Sequence, residues 1–168
     1  MNRRRSIRGS SVLEVALFVP IIVTLLVGMM QFGKITYVYY TLRKTIYTAA
    51  RYVATQQGVN FCDDADAVVT AAKNYALTGT IEGDVDGLLP ALTADMLSIR
   101  IERYTPESEE LGECDCTTTG CDTANNGTSP DYVVVTIPNG YEVRPRIPFL
   151  TIDPILLRPQ VRVPFGGT

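Results

Sequence analysis

SSVLEVALFVPIIVTLLVGMMQFG, residues 10–33, decides how the rest of the chain is read. Between residues 12 and 32 the only polar side chains are Glu14, Thr24 and Gln31, and residues 15–33 are 19 uncharged positions in a row. At about 1.5 Å per residue, a helix of that length crosses a hydrocarbon core of roughly 30 Å. A helix in a soluble core is apolar on one side only, whereas this run is apolar all round. A transmembrane segment is therefore predicted over residues 12–33. Pro20 removes a backbone N–H inside it, so a kink or a short non-helical stretch is expected there.

Outward from this run, the flanks set its direction. Arg3, Arg4, Arg5 and Arg8 precede it and Lys34 alone stands at its far edge, which places the N-terminus in the cytoplasm by the positive-inside rule. A cleaved secretory signal has the same basic-then-apolar order, and Arg3-Arg4 faintly suggests a twin-arginine signal. No small-x-small cleavage site follows, however. Instead Ile35, Val38, Leu42, Ile46, Ala49 and Val53 recur at three- and four-residue steps with Arg43, Lys44 and Arg51 between them, the pattern of a continuing amphipathic helix. One helix is expected over residues 10–56, on the order of 70 Å long. Tyr37, Tyr39 and Tyr40 fall where the membrane meets water, and an interfacial belt is the favoured reading over a ligand site.

Glu14 does not suit a plain anchor, because a carboxylate at the edge of a membrane helix is costly unless protonated, hydrated or paired. Snorkelling to the headgroups is the simplest account of it taken alone. It stands, however, in Gly9-Ser10-Ser11-Val12-Leu13-Glu14 behind a leader of four arginines. This arrangement resembles a prepilin peptidase site, at which type IV pilins and their relatives are cut after the glycine on the cytoplasmic side. The resemblance implies a cleaved leader over residues 1–9 and a mature chain over 10–168. Its new ammonium at Ser10 would be neutralised by Glu14 of a neighbouring subunit, since two charges in low dielectric are tolerable when paired.

Arg8-Gly9-Ser10-Ser11-Val12-Leu13-Glu14-Val15-Ala16-Leu17, Val19-Pro20, Gln31-Phe32-Gly33 and Ala49-Ala50-Arg51-Tyr52 follow one another at the spacing of TadE-like proteins. That family supplies minor pilins or pseudopilins to tight-adherence (Tad) pilus and secretion systems. The resemblance is most specific over residues 8–54; residues 132–165 are similar only in general style. The chain departs from the family at Val15, where an aromatic is more usual, and in an Asp- and Cys-rich insertion. The implied partners are other pilin-like subunits, the prepilin peptidase, the inner-membrane assembly platform and, before assembly, membrane lipid. The implied location is the bacterial inner membrane as a single-pass protein, with the later domain periplasmic or extracellular, or carried into a surface pilus.

Formal net charge is −3, and with four arginines in the first nine residues the remaining chain carries −7. That balance lacks the broad basic surface that a polyanion needs, so nucleic acid is not an expected partner. No histidine is present, which removes the commonest general base and the Ser-His-Asp triad. No enzyme and no cofactor are expected, and Glu107, Glu109 and Glu110 are most simply solvated. The even set Cys62, Cys114, Cys116 and Cys121 fits two disulfides in an oxidising compartment. Cys114 and Cys116 are too close for an easy mutual bond, so each is expected to seek Cys62 or Cys121. A zinc site of four thiolates is the alternative, against which C-x-C and C-x4-C are unusual spacings.

Residues 57–168 are expected to form a small α+β domain, an antiparallel sheet leaning on the long helix. Asp63, Asp64 and Asp66 before Val68, Val69, Ala71, Ala72, Tyr75 and Ala76 predict a short capped helix ended by Thr78-Gly79, rather than a calcium loop. Strands are predicted over residues 98–104 and 132–137, with Asn139-Gly140 turning the second into a hairpin through Tyr141, Val143 and Arg144. Val161, Val163 and Phe165 predict an edge strand confined by Pro159 and Pro164. Residues 105–131 read as a polar, Cys-rich loop that something must staple. Two functional readings follow: a pilin-like subunit processed after Gly9, or an uncleaved single-pass envelope protein whose outer domain binds a protein or ligand.

Overall fold

The apolar run and the three- and four-residue repeat behind it form one uninterrupted helix, α1 (Ser6–Ala54). The computed structural model describes residues 6–105, 109–114, 116, 120, 122–147 and 151–167, with side chains from residue 12 onward except that of Asn125. The described residues are helical from Ser6, ahead of Ser10. Gly9 alone is too weak a breaker, at roughly 1 kcal/mol. Backbone packing divides the chain into two units. One holds the described residues up to Tyr37 with Val143–Ile155, the other Val38–Glu142 with Leu156 onward.

In the second unit, the remainder of α1 buries Val38, Leu42, Ile46, Ala49, Ala50 and Val53, the same periodic stripe that marks it as amphipathic in the sequence. A second helix, α2 (Ala67–Thr78), buries Val69, Ala72, Ala76 and Leu77. Asp66 caps its start, accepting from the backbone N–H groups of Val68 and Val69, two of the donors every helix N-terminus leaves open. Gly79 ends it in the left-handed region at φ 81° with its N–H on the Tyr75 carbonyl, a conformation that glycine adopts without strain. Tyr52 on α1 and Tyr75 on α2 bring their rings to 5.6 Å.

Among the described residues six strands follow: β1 (Ser98–Thr105), β2 (Glu110–Glu113), β3 (Tyr132–Thr136), β4 (Tyr141–Val143), β5 (Ile155–Leu157) and β6 (Gln160–Pro164). Four of them make an antiparallel sheet in the order β2-β1-β3-β6. Ile99 faces Val135 and Ile101 faces Val133 in register, and Val133 and Val135 in turn face Val163 and Val161. One face is thus aliphatic, and its β1 and β3 members are buried. The opposite face carries the ion pairs Arg100–Glu113 at 2.8 Å and Arg162–Glu102 at 2.7 Å. The fold is α+β: a long apolar N-terminal helix and a small antiparallel sheet domain.

Two sequence expectations change. The stretch read as a loop over residues 105–131 contains β2, which pairs Glu110–Glu113 along the edge of β1. All four of its residues are exposed, so it has no alternation to read; the free edge of β1 makes it a strand. Gly140 does turn at φ 78° with its N–H on the Ile137 carbonyl at 3.0 Å, but β4 does not complete a hairpin with β3. Both edges of β3 are already taken by β1 and β6, and β4 pairs with β5 in a separate two-stranded sheet.

Candidate functional site

The membrane-length part of α1 is defined by what does not cover it. Val12, Leu13, Phe18, Leu25, Met30 and Phe32 are all exposed, Met30 at 77%. No residue of the most apolar 18-residue window is buried within the chain. By contrast, Leu42 and Ile46, farther along the same helix, are fully buried. An apolar surface on every side of a helix finds its partner in lipid or in other helices.

The polar groups of this stretch differ in how they are satisfied. Pro20 lies inside α1, and the helix is continuous through it; with no N–H on Pro20, the Ala16 carbonyl lacks its ordinary donor. The Thr24 hydroxyl donates to the Pro20 carbonyl at 2.8 Å, and that of Thr36 to the Phe32 carbonyl at 3.0 Å. Such back-bonding pairs each hydroxyl with the helix's own backbone. Gln31 donates through Nε2 to the Arg146 carbonyl at 2.8 Å. Glu14 is exposed and makes no hydrogen bond or ion pair with any described residue. Gly9 and Ser10 lie in the helical backbone, so Ser10 and Glu14 sit one turn apart on the same helix face. Beyond the apolar run, Tyr37, Tyr39 and Tyr40 are exposed. Tyr40 lines an open groove of about 490 Å³ with Arg43, Lys44, Tyr47 and Arg162.

The cysteines form a second candidate cluster, and here chemistry is decided. Cys62 is bonded to Cys116 with a Cα–Cα distance of 5.4 Å. Cys114 is also disulfide-bonded, and Cys121 lies outside the described residues. A four-thiolate zinc site is overturned, because sulfurs joined to one another are not available as thiolate ligands. Sequence reasoning missed two further fasteners of this segment. Asp122 is fully buried and accepts the Phe61 N–H at 2.8 Å, next to the Cys62 bond. Arg103 donates to the carbonyls of Gly120, at 2.8 Å, and of Thr128. No local pattern announces either contact, since their partners lie far away along the chain.

The acidic triplet has structural work. Asp63 accepts the Ala65 N–H at 2.9 Å, Asp64 pairs with Lys73 at 3.0 Å and Asp66 caps α2. Among the described residues no group of three or more His, Cys, Asp or Glu side chains is placed to hold a metal ion.

A helix apolar enough to cross a membrane, carrying near its start a carboxylate that no described residue partners and leading into an α+β domain, fits a membrane-anchored protein. The family model described as TadE-like protein matches residues 9–51. The match takes in Gly9, Ser10, Glu14 and Pro20 and leaves the Cys-rich segment outside. No curated protein and no solved structure matches the chain.

Proposed function

We propose that this protein is a pilin-like subunit of a Tad or type IV pilus-type assembly or secretion system, processed by a prepilin peptidase after Gly9. It works by helix packing and charge pairing rather than by catalysis. The observation that carries the reading is the contrast within α1: Thr24 and Gln31 have partners, while Glu14 and the apolar surface around it have none within the described chain. Cleavage would free an ammonium at Ser10, and Glu14 of an adjacent subunit would neutralise it as the helices pack side by side. Lipid covers the apolar surface before assembly and neighbouring helices cover it afterwards. Pro20, which removes a helical hydrogen bond, is the point at which the packed helix is expected to bend. The TadE-like match over residues 9–51 supports the same role, as a minor component held in the inner membrane with its N-terminus in the cytoplasm.

Mass spectrometry of protein recovered from its native host tests processing: an N-terminus at Ser10 supports the proposal, and an intact Met1 in a host with active peptidase sinks it. Glu14→Ala is expected to leave membrane insertion and cleavage intact and to lower recovery in the assembled complex at least tenfold, since breaking a buried charge pair costs about 3–5 kcal/mol. Ordinary incorporation of Glu14→Ala would show that the charge pairing is wrong even if cleavage occurs.

A further inference from the structure

Shortly after α2 the chain runs through IEGDVDGL, residues 81–88, three acids set among aliphatic side chains. This loop is held from within. The Asn74 amide donates to the Ile81 carbonyl at 3.2 Å, the Gly83 N–H to the Thr80 hydroxyl at 3.2 Å and the Leu88 N–H to the Leu77 carbonyl at 2.9 Å. Gly83 turns at φ 74° so close to Asn74 that a Cβ there would lie 2.8 Å from its side chain, a conformation and an approach open to glycine. So fixed, the loop leaves Ile81, Val85 and Leu88 exposed, Leu88 at 66%. Asp84 accepts from the Thr80 hydroxyl, whereas the carboxylates of Glu82 and Asp86 are exposed and pair with no described residue.

The groove of about 490 Å³ lined by Tyr40, Arg43, Lys44, Tyr47, Val161 and Arg162 has the opposite character. Arg162 is committed to Glu102, but Arg43 and Lys44 are exposed and their side chains pair with no described residue. Tyr40 and Tyr47, also exposed, offer ring faces on which aliphatic side chains can pack. Apolar contact bordered by opposite charges is the ordinary anatomy of a protein interface, the charges setting register and excluding wrong partners. We propose that this groove receives the 81–88 loop of a second copy of the chain, with Glu82 and Asp86 against Arg43 and Lys44 and the loop's aliphatic side chains against the tyrosine rings. Groove and loop are different patches, so the contact is heterologous and passes from copy to copy instead of closing on itself. The inference rests on the assembly role proposed above: packed helices bring copies side by side, and this contact sets the register between their α+β domains.

Gln160 also lines the groove, and the test replaces it with the photocrosslinker p-benzoylphenylalanine in the full-length protein produced in its native host. Irradiation is expected to give a species of twice the chain mass on reducing, denaturing gels. Trypsin should then recover the crosslinker joined to residues 74–100, a span that ends at Arg100 and has no Lys or Arg inside it. Arg43→Glu/Lys44→Glu and, separately, Glu82→Lys/Asp86→Lys should each lower the yield about tenfold, because like charges then oppose one another across the contact. All four changes on one chain should restore most of the yield, which damage to the fold would not do. A crosslink to lipid, to another protein or to a different segment would overturn the second copy as occupant. So would a yield that neither reversal lowers, or that the four changes together do not recover. Any of these results in a chain that begins at Ser10 and enters its assembly would remove the dock alone. An uncleaved chain absent from any assembly would remove the proposed role and the dock together.

Discussion

Tyr141 sits at the start of β4, buried, with its hydroxyl donating to the Pro90 carbonyl at 2.7 Å. Burial raises its phenol above the ordinary value of 10.0, because the charged phenolate is poorly solvated there. The folded state therefore holds the proton more tightly than the unfolded state. The stability this confers is fully present below the unfolded value of about 10 and is lost as pH rises through the folded one. Tyr141→Phe is expected to cost about 1 kcal/mol at neutral pH through the lost hydrogen bond, and to flatten the fall in stability above pH 10. Denaturant titrations of both proteins across the alkaline range check this; parallel pH profiles would remove Tyr141 as the cause. At this scale Glu14 stood out in the sequence because every neighbour in its run contradicts it. Asp122 did not, because an aspartate in a polar stretch looks solvated until Phe61 is brought onto it.

Among the elements, α1 and α2 were legible almost to their ends because their causes are local: periodic apolar residues, an aspartate cap and a stopping glycine. Asp66 serves α2 through Val68 and Val69 and also accepts the Asn60 N–H at 3.3 Å. Asp66→Ala is expected to destabilise the α+β domain by about 1–2 kcal/mol, and Asp66→Asn to recover most of that loss. Thermal melts followed by circular dichroism distinguish the two, and a loss in Asp66→Asn equal to that in Asp66→Ala would mean that capping is not the cause. Strand pairing was less legible. The inward alternation of β1 and β3 is written in Ile99, Ile101, Val133 and Val135, but β2 has no apolar face, and the partner of β4 depends on β6 having already taken the edge of β3.

For the molecule as a whole, the disulfide between Cys62 and Cys116 closes a sequence separation of 54 residues, joining the segment after α1 to the stretch beyond β2. A crosslink of that span restricts the unfolded chain by ~4 kcal/mol on the loop-entropy relation. Cys62→Ser/Cys116→Ser is expected to lower the denaturant midpoint markedly while leaving α1 in the membrane; an unchanged midpoint would make the bond dispensable. Peptide mapping without reduction should recover Cys62 with Cys116, and Cys114 with Cys121 as the remaining thiol of the chain.

The sequence by itself determined the apolar helix, its likeness to TadE-like proteins, the oxidised cysteines and an α+β domain, because runs, periods and composition act between near neighbours. Tertiary structure alone decided that Cys62 joins Cys116, that Asp122 is buried, that β4 leaves the main sheet and that Gln31 holds the Arg146 carbonyl. Each of these joins positions far apart in the chain, where the choice among partners is made by packing and by which edges and hydrogen-bonding groups remain open.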